Sequence, residues 1–288
     1  MSTNPKIRGG LLPLKPDARD FSVGAIFAPI DVSEIPDDFS LGKLKVKDQG
    51  SSDFCSGYAV TSASELQEDV ELSPLWQFAK TKELTGDWKS WGVNLRDACK
   101  SAVKFGSLPL NESPELAPDW VSQRVWDRDD IANWTTWPAE LDFKAEKHKK
   151  ASYFSVSKGG YKDLFDAVQG ELWRNREDKR GVVVGALWRP EWITAESGVI
   201  SQEYGKEGFG HAFLFIGKKT INGVPYLVAH LSNGDIGDNG EFYFSRNVVN
   251  KEIGKYGAFM FNDLPADYYK KTYWSFWQKL TNFIRTFL

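Results

Sequence analysis

The chain has 288 residues, with 36 Lys and Arg balanced by 39 Asp and Glu for a net charge of −3, which excludes the broad basic surface of a nucleic-acid binder. It is 41% hydrophobic and 26% charged, the make-up of a globular protein with a real core, and no run reaches the ~18 apolar residues of a membrane span. Two cysteines, Cys55 and Cys99, exclude a disulfide framework and imply a reducing compartment.

Residues 1–37 show neither helical nor strand period and contain Gly9-Gly10, Pro13, Pro16, Pro29 and Pro36, which predicts an extended arm on the surface. The basic-then-apolar run of a signal peptide is missing from this start. Asp48-Gln49-Gly50-Ser51-Ser52-Asp53 is a turn. From Cys55 onward, Cys55, Tyr58, Ala59, Ser62, Ala63 and Leu66 recur at helical spacing, so a close-packed central helix of small residues is expected. Glu71 to Glu83, with Ser73-Pro74 near its start, reads as a second helix. Asn94 to Phe105 reads as a third, stopped by Gly106, with Cys99 packed on its inner face.

Residues 107–150 are rich in Pro and Trp, then charged, and read as a crossing between lobes; His148 there is expected to be a solvated side chain. Strands follow: Ser152–Ser157, Gly181–Trp188, Ala212–Ile216, Tyr226–Leu231 after an Asn222-Gly223 hairpin turn, Glu241–Ser245 and Ala258–Phe261, with a short helix at Tyr161–Gln169. The tail carries Tyr269, Tyr273, Phe276, Trp277, Leu280, Phe283, Ile284 and Phe287 at helical spacing on a basic segment. That stripe predicts an amphipathic helix that docks on the protein's own core, on a protein partner or, last, on a membrane interface.

The chemistry concentrates at the first of these helices. Cys55 lies in the first turn, where unpaired N–H groups and the macrodipole favour a thiolate. Gln49, six residues earlier, can bring an amide N–H₂ to the same helix end, and together these are the parts of a nucleophile with an oxyanion hole. The segment resembles the active-site segment of papain-like (C1 family) cysteine peptidases: Gln49, Gly50 and Cys55 match, Tyr58 fits the helix that follows, and Ser52, Asp53, Phe54 and Ser56 depart from it. Leu12-Pro13 to Phe21 resembles the lead-in of bacterial and viral members that lack a long helical propeptide, which implies an enzyme without a large inhibitory pro-domain. A place in a viral or phage assembly is one expectation from that likeness.

His211, after Gly208-Phe209-Gly210 and before the apolar run Ala212–Ile216 and Gly217, matches the family's general-base motif. A strand-end His opposite a helix-start Cys can form a thiolate–imidazolium pair. In the family an Asn holds that His, and here the position is open: an ungapped count puts Leu231 there, a count back from the following glycines puts His230 there, and Asn233 reaches His211 if the turn is rearranged. The resemblance also implies that Gly92 and Gly210 line an extended peptide.

The expected fold is α+β, papain-like and two-lobed: an arm (1–37), a helical lobe with the nucleophile (38–140), an antiparallel β-barrel-like lobe with the base (141–265) and the C-terminal helix (266–288). The expected function is cysteine-peptidase hydrolysis of peptide or protein substrates by Cys55, His211 and Gln49, without cofactor or metal. The alternative is an impaired papain-fold protein that serves as a binding or structural component of a larger assembly.

Overall fold

A computed structural model of the chain describes residues 9–15, 17, 20, 22, 27–50, 52–112, 139–202, 208–253 and 256–262. The expected C-terminal helix and most of the Pro- and Trp-rich crossing lie outside the described residues.

Among the described residues, three helices build the first lobe. Helix α1 (Cys55–Glu68) is buried at every position from Cys55 to Leu66, and this is why its residues are small. It ends at Asp69, which takes the left-handed conformation (φ 53°). Helix α2 (Pro74–Thr85) begins three residues later than the sequence suggests, because Ser73 is the cap: its Oγ accepts from the Trp76 N–H at 3.0 Å, with Pro74 in the first turn. Helix α3 (Leu95–Lys104) is capped by Asn94, whose Oδ1 accepts from the Asp97 N–H at 3.0 Å. Two further helices are α4 (Glu140–Glu146), which the charged run did not suggest, and α5 (Leu164–Arg174). The latter starts after its cap Asp163 and extends past Gln169, since Leu172 continues its buried face.

The strands in chain order are β1 (Leu11–Leu12), β2 (Phe39–Ser40), β3 (Val93–Asn94), β4 (Ser152–Ser155), β5 (Val182–Trp188), β6 (Val199–Ile200), β7 (Phe209–Ile221), β8 (Val224–His230), β9 (Glu241–Ser245) and β10 (Ala258–Asn262). All but β1 and β3 join one sheet, in the order β4-β10-β5-β7-β8-β9-β6, with β2 beside β7. The pairing is antiparallel as expected, except that β6 runs parallel to β9. Asn222 (φ 51°) and Gly223 (φ 77°) supply the two left-handed residues that a tight β7–β8 hairpin requires.

Strand β7 explains how the lobes meet. Its alternate residues Ala212, Leu214 and Ile216 are buried on one face, and His211, Phe213 and Phe215 on the other. Helix α1 packs against β7, while Phe213 stacks on Phe244 with centroids 5.0 Å apart. A strand buried on both faces reads as a continuous apolar run, as this one does.

Two expectations are corrected. His148 is not a solvated side chain: Nδ1 lies 2.6 Å from the Glu68 carboxylate at the end of α1, and Lys150 pairs with the same carboxylate. Nor does the arm stay on the surface. Leu11 is 5% exposed, and β1 pairs with β3 in parallel. Farther along, Arg96 Nε donates to both Asp20 oxygens at 2.9 and 2.8 Å, and its Nη1 donates to the Lys15 carbonyl at 2.9 Å. The arm therefore repays its lack of local structure with contacts distant in sequence. Among the described residues, no helix is long and apolar enough to cross a membrane.

Candidate active site

Cys55 opens α1 and is fully buried, and its thiol lies within hydrogen-bonding reach of the backbone N–H groups of Gly10, Ala212 and Ser56. The Ala212 N–H belongs to the residue after His211, so the helix start and the strand end meet as the pairing of a nucleophile with a base requires. Burial pushes the thiol up to about 11, and the Asp53 carboxylate adds to this, against the three N–H groups. A thiolate favoured by its helix end is thus not what this arrangement holds, because the cost of desolvation exceeds the pull of the backbone dipoles. Burial raises Cys99 further still, and the Asp20 and Asp97 carboxylates add to this against the Arg96 guanidinium.

His211 is fully buried, and its Nε2 lies 3.1 Å from Asn233 Oδ1. A carbonyl oxygen can only accept, so Nε2 carries the proton and Nδ1 is the basic nitrogen of the neutral ring. Of the three residues that the sequence left open, Asn233 is therefore the one that meets His211. Leu231 lies in the hydrophobic core, and His230 lies near Lys45 and Lys47 instead. Strand β8 stops at His230, so its alternation does not govern the residues after it. Their position comes from the segment before α1: Gly234 N–H donates to the Lys47 carbonyl at 2.9 Å, and Gln49 N–H donates to the Ser232 carbonyl at 2.8 Å. An antiparallel bridge between Asp48 and Asn233 lies between these two bonds.

The same lacing fixes Gln49, which is fully buried. Ser232 Oγ donates to its Oε1 at 2.7 Å, and its Nε2 donates to the Ser52 carbonyl at 2.8 Å. With Oε1 held as acceptor, the amide N–H₂ is oriented on the side of Ser52 and the start of α1. Ser232 is a residue that the sequence did not single out. It stands beside Asn233, but its partner is 183 positions away in the chain.

Gly92 and Gly210 lie where a peptide is expected, and the peptide there is the protein's own arm. A Cβ on Gly92 would come within 2.2 Å of the Gly10 carbonyl oxygen, and one on Gly210 within 2.2 Å of the Leu11 carbonyl oxygen. Val93 N–H donates to the Gly10 carbonyl at 2.9 Å. Gly10 itself lies so close to α1 that a Cβ would sit 1.7 Å from the Asp53 carbonyl oxygen. The Leu11 side chain fills space beside Gly185, where a Cβ would approach its Cδ2 to 2.3 Å. Gly10 of the arm lies beside the thiol, and the arm thereby shares in the burial that raises Cys55. Among the described residues, no three His, Cys, Asp or Glu side chains are grouped to hold a metal ion.

His230, set apart from this cluster, has a consequence for stability. Burial, together with the Lys47 ammonium, pushes it down to about 4. An unfolded chain would protonate it near pH 6.5, so between about pH 6.5 and 4 the unfolded state binds the extra proton. The stabilisation is complete above that window and is lost as pH falls through it, by an amount on the order of 3 kcal/mol. Urea unfolding of the wild type and of His230→Gln at pH 7 and pH 4 is expected to show this loss in the wild type and a smaller one in the variant. Equal losses would refute the assignment.

No family model matches the chain, and no curated protein matches it by sequence. Solved structures do match. Xylellain, a cysteine protease from Xylella fastidiosa, is 19% identical with a TM-score of 0.65 over 92% of this chain and 99% of that one. ProCathepsin B S9 from Trypanosoma congolense is 15% identical with a TM-score of 0.58 over 90% and 85% of the two chains. The bromelain protease from Ananas comosus, solved in complex with the E64 inhibitor, is 15% identical with a TM-score of 0.55 over 79% and 99%. The helices and the antiparallel sheet match those structures in architecture: this chain has the fold of the papain-like cysteine proteases.

Proposed function

We propose that the chain is a cysteine peptidase that hydrolyses peptide bonds through Cys55 and His211. The observation that carries this reading is the 3.1 Å contact between His211 Nε2 and Asn233 Oδ1, at a strand end whose next N–H meets the Cys55 thiol. That tautomer leaves Nδ1 to take the thiol proton. The thiolate attacks the scissile carbonyl, and the developing oxyanion is held by the Cys55 backbone N–H and Gln49 Nε2. His211 then protonates the leaving amine, and water activated by the same nitrogen releases the acyl group and restores the thiol. The substrate runs between Gly92 and Gly210, where the arm now lies. The cysteine-protease neighbours of the same fold support this substrate class.

A peptide library digested by the full-length protein and by Cys55→Ala tests the reading, with iodoacetamide labelling of Cys55 and Cys99 alongside. Hydrolysis is expected from the wild type and not from Cys55→Ala, with Cys55 labelling faster than Cys99. Gln49→Ala is expected to keep the labelling rate and lose roughly 10²-fold in hydrolysis, the scale of one oxyanion donor. Labelling of Cys55 without hydrolysis of any library peptide would favour a binding or structural component. Equal, slow labelling of both cysteines would remove the nucleophile.

A further inference from the structure

In this reading the tautomer of the base is set by the hydrogen bond between His211 Nε2 and Asn233 Oδ1. Such a bond fixes a tautomer only while water is kept from both partners and the ring is kept from turning. Asn233 lies in a loop after the last residue of β8, so its own strand does not hold the pair. Something else must confine the imidazole.

The neighbour that does so is on β5. Ala186 pairs with His211 across the β5–β7 ladder, and Trp188 is two residues on, so its side chain lies on the same face, diagonally placed. The indole is fully buried, with its centroid 5.2 Å from that of the imidazole and the rings inclined at 64°. Behind it, Trp188 is wedged edge-on against Trp192 (5.4 Å), Phe213 (6.4 Å) and Phe242 (5.7 Å). These rings leave it no room to swing away. Its own N–H finds no hydrogen-bond acceptor among the described residues. A buried indole that forgoes its hydrogen bond is there for the shape of its ring.

We propose that Trp188 is a positioning residue for the base: it sets the plane of the His211 ring and keeps water from the His211–Asn233 hydrogen bond. The inference rests on the reading of His211 as the base, but its first test does not. The chain has three His, so ¹⁵N-histidine labelling reports the tautomer of each ring and the exchange rate of its N–H. Wild type and Trp188→Phe are expected to show an Nε2-protonated His211 with a slowly exchanging proton. Trp188→Ala is expected to show mixed tautomers and fast exchange. Trp192→Ala, which opens a cavity in the same aromatic group without touching His211, is expected to leave the His211 signals as in the wild type. Should Trp188→Ala not fold, Trp188→Leu takes its place.

Cys55 alkylation and peptide hydrolysis supply the second readout. Trp188→Ala is expected to slow both on the order of 10²-fold, the scale of a displaced catalytic group, with recovery in Trp188→Phe. Combined with Asn233→Ala it is expected to add little, since both variants release the same ring. An unchanged His211 tautomer and exchange rate in Trp188→Ala, an equal effect of Trp192→Ala, or full additivity with Asn233→Ala would each overturn the proposal. If His211→Ala alkylates at the wild-type rate, the reading of the site fails; if His211 is required and Trp188→Ala leaves its ring unchanged, this proposal alone fails.

Discussion

Replacing His211 with alanine is expected to lower peptide hydrolysis by roughly 10³-fold, within the range that a positioned general base supplies. The Asp53 carboxylate beside the thiol opposes its ionisation and does not assist it. The buried thiol lies far above neutrality at about 11, so a proton acceptor beside it decides whether a thiolate forms at all. Alkylation should therefore fall with hydrolysis in His211→Ala, whereas in Gln49→Ala the two separate. Asn233→Ala is expected to lie between wild type and His211→Ala, because the ring remains but its tautomer is free. Stopped-flow alkylation and peptide turnover measured on the same preparations distinguish these cases. A His211→Ala protein that hydrolyses peptides at the wild-type rate would end the dyad reading.

Gly10→Val is expected to act in the opposite direction and raise Cys55 alkylation by about 10²-fold at pH 7. A Cβ at residue 10 would sit 1.7 Å from the Asp53 carbonyl oxygen, and backbone cannot yield at that distance, so residues 9–12 must leave the cleft. The thiol then regains water. At a pKa of about 11 the thiolate fraction at pH 7 is about 10⁻⁴, and at an ordinary value near 8.5 it is about 3%, a gain of two orders of magnitude before access is counted. Arg96→Ala removes the bonds to Asp20 and Lys15 that hold the arm farther along, and should give a smaller gain of the same sign. Cys99 serves as the internal control, since it is fully buried in α3. No change at Cys55 in Gly10→Val would show that the arm does not limit access to the thiol.

Much of the architecture could be read from the chain alone, wherever the signal was local. The small-residue face from Cys55 to Leu66 reads as a helix because close packing needs short side chains at helical spacing. The runs Gly181–Trp188 and Ala212–Ile216 read as buried strands because both faces had to be apolar. Asn222-Gly223 reads as a hairpin because few other residue pairs take two positive φ angles. Cys55, Gln49 and His211 could be picked out as candidates because each stands in a motif of fixed spacing.

What the chain could not reveal depended on segments far apart in sequence meeting in space. Asn233 reaches His211 because residues 47–49 pair with 232–234, and no local pattern encodes that register. Ser232 orients Gln49 only once the lobes have met, and Trp188 confines His211 only once β5 has paired with β7. The same holds for the ionisation of Cys55. Its place at a helix start argues for a thiolate, but the field of a helix end is weaker than the desolvation of burial, in which the arm shares. Sequence determined which groups are present for the chemistry; the tertiary structure decided which of them touch and whether water reaches them, because burial and distance, rather than spacing in the chain, set the energy of a charge.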